Sequence, residues 1–435
     1  MKKRVMRNLN ENLIRKFSRG RGEPEWMLEM RLEGLKLFEE MEIPDWGPDL
    51  SGIKLEKIDF LAEPKKPGVN KAVWEKLGLP EQERRFLSGL ANQWDTRVVY
   101  RNLKQKLENK GVIFESMDEA VQKHPELVKK YFMKVMPMNN KFSCLHAAVW
   151  SGGVFLYVPG GVRIKQPIEG FFWLNNYQGG QFEHTIIIAE EGSELTYIEG
   201  CSAPRFKKEA LHVGCVEVIV SKKAKVKIVT LQNWSKNVLN LGMKRAVVEE
   251  AGLIEWVGAS LGSKITMSYP TSILKGNGAR AEHLSLSLAD KNQEIDSGGR
   301  AILSGENTSA NIVAKSICLN GGSSSYRGMG KIIKGAKGGK ISVKCDGLIL
   351  DDRSRTKTYP AMEVGESEST ALHEAKTGKI SEEELIYLMS RGLTEEQAMS
   401  LIINGFIEPV VKEMPLEYAV EINKLIDYYA EHSKN

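Results

Sequence analysis

The residues with the most distinctive chemistry are five cysteines, at positions 144, 201, 215, 318 and 345. No two of them form a C-x-x-C pair, so a zinc knuckle within one segment is not expected. A metal bound by these thiols would draw its other ligands from elsewhere. Cys345 lies in ISVKCDGLIL, where Ile341, Val343 and Cys345 alternate with Ser342, Lys344 and Asp346. That pattern reads as a strand with one buried face, with Cys345 either a small apolar filler or a working thiolate. HEAKTGKI follows, carrying His373 and Glu374. A thiolate, an imidazole and a carboxylate that meet in space would suit iron or another thiophilic metal. Cys201 closes a second alternating run, TYIEGCSAP, beside Gly200. Cys144, Cys215 and Cys318 read as buried apolar residues. His146, His184, His212 and His283 read as hydrogen-bonded residues spread singly over strands.

Several common chemistries are missing. GAKGGKIS has glycines and Lys340, but Lys334 stands where a phosphate-cradling loop needs its first glycine, and Ile341 where it needs a hydroxyl. GGSSSYRGMG lies among strands and reads as a loop, not a dinucleotide fingerprint. GASLG, residues 258–262, has the G-x-S-x-G spacing but lies at the end of the alternating run LIEWVGASL, with no helical pattern after it to make the strand-to-helix turn of a nucleophile elbow. Lysines and acids alternate along most segments and the net charge is +5 over 435 residues, which implies no nucleic-acid surface. No apolar run is long enough to span a membrane, and MKKRVMRNLN has no apolar stretch after its basic residues. These features predict reduced thiols and a cytoplasmic location.

Three kinds of texture position these residues. EPEWMLEMRLEGLKLFEEM places Trp26, Met27, Met30, Leu35, Phe38 and Met41 on one helical face, PDWGPDLSGI breaks it, and MDEAVQKHPELVKKYFMKVM reads as further helix. From Lys141 to Val364, short alternating runs recur between small turn segments. Ala224, Ala251 and Gly278 are spaced by 27 residues, and later turns by slightly more. A drifting period without helical spacers favours a β-helix over a sandwich. From Ser381 the helical period returns, with capping boxes at Ser381/Glu384 and Thr394/Gln397, helix ends at Gly392 and Gly405, and a last helix after Pro415. The expected fold is mainly β with helical ends. A right-handed parallel β-helix core, 141–364, lies between an N-terminal helical domain, 1–140, and a C-terminal helical domain, 365–435.

GEPEWMLEMRL, PDW, GQFEHTIIIAEEGSELTYIEGCSAP, TLQNWS, CDGLILDDRSRTKTYPAMEV, HEAKTGKISEEELIYLMSRGL and NGFIEPVVKEMPLEYAVEINKLI occur in that order. Together they resemble the SufB/SufD family of the SUF iron–sulfur cluster assembly system, in its SufB form, from about Gly22 to Ser433. The resemblance implies a scaffold without ATPase activity of its own; that activity would belong to SufC, docked on the C-terminal helices. It implies that Cys201 accepts persulfide sulfur from a desulfurase and its carrier, and that Cys345 carries the nascent cluster with Glu374 and His373 nearby. It also implies that Asn175, Gln232, Trp234 and Lys244 line a path between the two cysteines. Further implied are a partner solenoid (SufD or a second copy), apo acceptor proteins, a transient two- or four-iron cluster, and participation of reduced flavin. Sulfur transfer by thiolate attack calls for an exposed, ionised Cys201.

The chain departs from the family pattern at two points. Trp173, in FWLN, replaces the usual arginine and cannot supply its fork of donors. Leu372 replaces an acid before HEA. The rival readings are a SufD-like structural partner without its own cluster-building cysteine, an exported polysaccharide-cleaving β-helix, and a plain scaffold.

Overall fold

The computed structural model describes residues 9–61, 87–95, 97–174, 179–204 and 209–431. Strands alternate between two mainly parallel sheets that enclose a lumen, ten strands in one and twelve in the other among the described residues. The first complete coil is His184–Ala189 with Glu194–Ser202, and the last is Arg355–Val364 with Thr370–Lys379, about seven coils in all. The expected β-helix between helical ends is thus present. Inward positions stack in register: Val226, Ile254, Ala281, Ala310 and Ile341 form one buried column along the ten-stranded sheet. Val218, Ala246, Ala301 and Ile332 of the other sheet pack in the same core.

The periodic turns are a second column. Gly192, Lys223, Ala251, Gly278, Asn307 and Gly338 all adopt φ between +52° and +68°. Gly192, Lys223, Ala251 and Gly278 donate their N–H groups to carbonyls of the next coil, at Lys222, Glu250, Asn277 and Glu306. This ladder of left-handed residues spaces the coils and produces the period seen in the sequence.

Helices Glu25–Glu40 and Lys141–Val149 cover the outer face of the twelve-stranded sheet, packing Leu35, Phe38 and Leu145 against Leu211, Leu239 and Leu241. Arg31 is fully buried, bonded to Glu23 at 2.8 and 2.6 Å and to the carbonyls of Ala148 and Trp150 at 3.1 and 3.0 Å. Helices Glu395–Val411 and Leu416–Glu431 cover the outer face of the ten-stranded sheet, with Ile403, Ile407 and Ile422 on Val229, Val257 and Leu286. Thr394 and Gln397 form a complete capping box, whereas Ser381 makes only the half that accepts from Glu384 N–H.

Several local expectations differ from the structure. Gly405 lies inside helix Glu395–Val411, where tertiary packing overrides its local preference, while Gly392 does end a helix at φ +96°. GGSSSYRGMG is largely strand, Ser323–Ile332: its small residues fit a crowded lumen, where a Cβ on Gly328 would lie 2.9 Å from Val343. Within 1–140, strands Gly89–Trp94 and Arg97–Leu103 form an antiparallel hairpin on Ile168–Trp173, and Ile113–Ser116 pairs antiparallel with Val154–Val158. Such short pieces are strands because a sheet edge needs partners, not because of a strong local pattern. Thr370–Lys379, within the stretch read as helical, is the last strand of the ten-stranded sheet.

The two ends of the solenoid therefore differ. Antiparallel strands cap the first, whereas among the described residues no strand pairs beyond Arg355–Val364 or Thr370–Lys379. Pro360 lies on one of these terminal strands, a position where its missing N–H is tolerated. No helix is long and apolar enough to cross a membrane.

Candidate functional site

Glu199 and Cys201 are two residues apart on one strand, so both point into the lumen. Register then stacks Gln232 on Cys201 and Thr230 on Glu199. Around them lies a buried polar network. Lys244 donates to Glu199 at 2.8 Å, the Gln232 amide donates to the same oxygen at 3.3 Å, and the Trp234 indole donates to the Gln232 carbonyl at 2.8 Å. The Trp234 ring lies 4.5 Å from that of His212. His212 bonds through Nε2 to Glu183 at 2.5 Å and through Nδ1 to Asn240 at 2.8 Å. The fold thus brings together Cys201, Gln232, Trp234 and Lys244. Asn175 lies outside the described residues.

The electrostatics differ from the expected exposed, ionised acceptor. Cys201 is 2% exposed. Burial pushes its thiol well above the ordinary cysteine range, and the charges of Glu199 and Glu183 add to this against the opposing Lys244. Burial also works against a charge on His212, but Glu183 and Asn240 outweigh it and raise the imidazole. The C-terminal helical cover reaches this strand as well. Tyr418 donates to Glu169 at 3.1 Å, and a Cβ on Gly200 would lie 2.5 Å from the Tyr418 hydroxyl oxygen. Trp173 pairs with Ser202, so it faces away from Cys201.

Two inward columns lead from this cluster to the open end. One runs Cys201, Gln232, Ser260, Ser287, Ser316; the other runs Glu199, Thr230, Gly258, Ser285, Ala314, Cys345. Cys345 therefore stands five strands from Cys201, about 24 Å at the usual interstrand spacing. The small residues leave a cavity of about 50 Å³ bordered by Gln232, Lys244, Ser260, Ser285 and Tyr326. Tyr326 and Cys345 belong to the same buried core cluster.

Cys345 is 3% exposed, and its sulfur lies 3.9 Å from His373 Nε2 on the terminal strand. Burial, reinforced by Asp346, pushes its thiol up to about 12. Glu374 pairs in register with Lys344 and projects to the outer face, 2.7 Å from Lys376. Within one chain, then, His373 meets Cys345 and Glu374 does not. Leu372 shares that outer face and is 61% exposed.

All four histidines that the sequence reads as satisfied are hydrogen-bonded, though His146 sits on a helix. His146, His184 and Cys215 are close enough to hold a metal ion. Their ring nitrogens are already occupied, by Val213 O, by each other at 3.0 Å and by Glu217 at 3.0 Å. Glu217 in turn accepts from the backbone N–H groups of Met133, Val135 and Met136, so this relay anchors a loop. Glu183, Cys201 and His212 form the second such group. Sequence reasoning had not connected Glu183, Glu199, Asn240 or Tyr326 with these cysteines, and had read His212 only as a hydrogen-bonded residue. Only Glu199 carried a local signal, its spacing of two from Cys201.

Comparison with known proteins agrees with this architecture. The family described as "SUF system FeS cluster assembly, SufBD core domain" matches residues 172–406, and "SufBD protein N-terminal region" matches residues 92–169. Iron–sulfur cluster assembly SufBD family proteins of Staphylococcus aureus strains MRSA252 and USA300 are each 46% identical over 99% of this chain and 95% of their own length. A Staphylococcus haemolyticus protein of the same description matches to the same extent, 46% over 99% and 95%. The chain belongs to the SufBD family of iron–sulfur cluster assembly proteins.

Proposed function

We propose that the chain is a SufB-type scaffold on which persulfide sulfur, accepted at Cys201, is reduced to sulfide by an external two-electron donor such as reduced flavin and combined with iron at Cys345. The observation that carries this reading is the position of Cys345: it faces the same lumen as Cys201 and lies one strand inside the uncapped end. One thiol and one imidazole hold a cluster weakly, which suits a product that must leave. The remaining ligands would come from a second solenoid docked on the open edge, either SufD or another copy of this chain, and Glu374 would then serve from the rim. A SufC-type ATPase on the C-terminal helices would drive opening of that interface, with no nucleotide chemistry in this chain. The desulfurase with its carrier supplies sulfur, and apo proteins receive the product. The working compartment is the cytoplasm.

The test is anaerobic loading of the full chain with Fe(II) and sulfide, read by absorption and iron content. Cys345→Ser should keep the wild-type circular dichroism and lose the cluster. Undiminished assembly would reject the role and favour a SufD-like structural partner.

A further inference from the structure

We propose that Glu183, Cys201 and His212 form a binding site for a thiophilic divalent cation at the capped end of the lumen. Their donor atoms all lie within 4.8 Å of one another, a spread that small side-chain shifts close to metal-ligand spacing. A carboxylate oxygen, an imidazole nitrogen and a thiolate sulfur are a set that soft or borderline cations prefer over magnesium or calcium.

The second observation is an unsatisfied oxygen. Glu183 is 3% exposed, and its Oε2 has no hydrogen-bond partner. A buried carboxylate oxygen without a partner is unfavourable, and a cation beside it removes that penalty. The surroundings also hold the donors in place. Asn240 accepts from His212 Nδ1 at 2.8 Å, which turns Nε2 toward Glu183, the outer-shell arrangement common to metal-bound histidines. Gly214 leaves room for the carboxylate: a Cβ there would lie 2.3 Å from Glu183 Oε1 and 3.0 Å from His212 Cε1. A cavity of about 560 Å³ is bordered by Ser202, Lys236 and Trp234, and the Trp234 ring lies 4.5 Å from that of His212.

Binding exchanges the His212–Glu183 hydrogen bond for metal bonds and releases the Cys201 thiol proton and the Nε2 proton to water. No electron changes hands. The outcome is a metal-bound thiolate at Cys201, the ionised form that sulfur acceptance requires. This role rests on the reading of Cys201 as sulfur acceptor; the site itself does not.

The test is anaerobic titration of the metal-free full chain with Co(II), whose thiolate charge-transfer absorption reports sulfur ligation. In the Cys345→Ser background, which removes the other lumenal thiol assigned to metal, one cobalt per chain should give that band, and adding Cys201→Ser should abolish it. Glu183→Gln and His212→Gln should weaken binding about tenfold or more. Gly214→Ala keeps all three donors and should weaken binding by displacing Glu183, which covers the case in which another variant fails to fold. Absence of the band in folded Cys345→Ser protein, its survival in the Cys345→Ser/Cys201→Ser double variant, or unchanged affinity in both Glu183→Gln and Gly214→Ala would overturn the site. Cluster assembly on Cys345 in the wild-type chain without a cobalt band in the Cys345→Ser protein refutes this site alone; the reverse result refutes the scaffold reading alone.

Discussion

Cys345 and Glu374 lie on neighbouring strands and face opposite ways. Cys345 is in register with Ala375, and Glu374 with Lys344. Because side chains alternate along a strand, a residue paired with Lys344 cannot share the face of Cys345. His373, one residue earlier, does share it. The carboxylate is thus part of the outer surface, and the imidazole is part of the lumen.

This geometry separates two substitutions. In the isolated chain, Glu374→Gln removes an exposed ion pair with Lys376 and should leave the melting temperature essentially unchanged. It should leave Cys345 alkylation unchanged. His373→Ala should speed that alkylation by uncovering a sulfur 3.9 Å away. Thermal melts and mass-spectrometric labelling check both, and equal effects of the two variants would contradict the face assignment.

All five cysteines are free and buried, so a thiol titration of the native chain should be slow and should reach five equivalents only in denaturant. Burial and Asp346 raise Cys345 to about 12, which means the reactive thiolate is scarce at neutral pH. Its labelling rate should therefore climb about tenfold per pH unit above neutrality, with the thiolate fraction. Asp346→Asn should increase the rate at fixed pH, since it removes a nearby negative charge. A rate independent of pH would show that opening of the fold, not ionisation, controls access.

Lys244 and Glu199 form a buried ion pair at 2.8 Å. Lys244→Met leaves a buried carboxylate without its cation, a loss of about 3–5 kcal/mol. The double variant Lys244→Met/Glu199→Gln should recover most of it. Denaturant titration of the four proteins gives the coupling directly, and additive losses would show that the pair does not act as a unit.

Arg31 joins the N-terminal helices to the segment Ala148–Trp150 through its whole guanidinium group. Arg31→Lys keeps the charge but cannot reproduce the fork of donors, and Arg31→Met keeps neither. Arg31→Met should cost about 3–5 kcal/mol by leaving Glu23 buried and unpaired, with Arg31→Lys between it and the wild type. Melting curves test the order; a lysine variant as stable as wild type would argue that charge alone suffices.

What the sequence by itself determined is local. Alternation of period two, the turns near Ala224, Ala251 and Gly278, and the caps at Thr394 and Gln397 each depend on residues close together in the chain, so the coils and the helical ends could be read directly. Gln232, Trp234 and Lys244 were singled out by resemblance to a family, not by any spacing among themselves. Only the tertiary structure decided which inward residues meet. Strands that pair in a solenoid lie a whole coil apart in sequence, and the lumen also joins residues of opposite sheets. No short-range pattern links Glu183 to His212, or Tyr326 to Cys345. Burial, likewise, is a property of the assembled coils: it converted Cys201 from an expected thiolate into a protonated thiol, and register turned Glu374 away from the sulfur beside it.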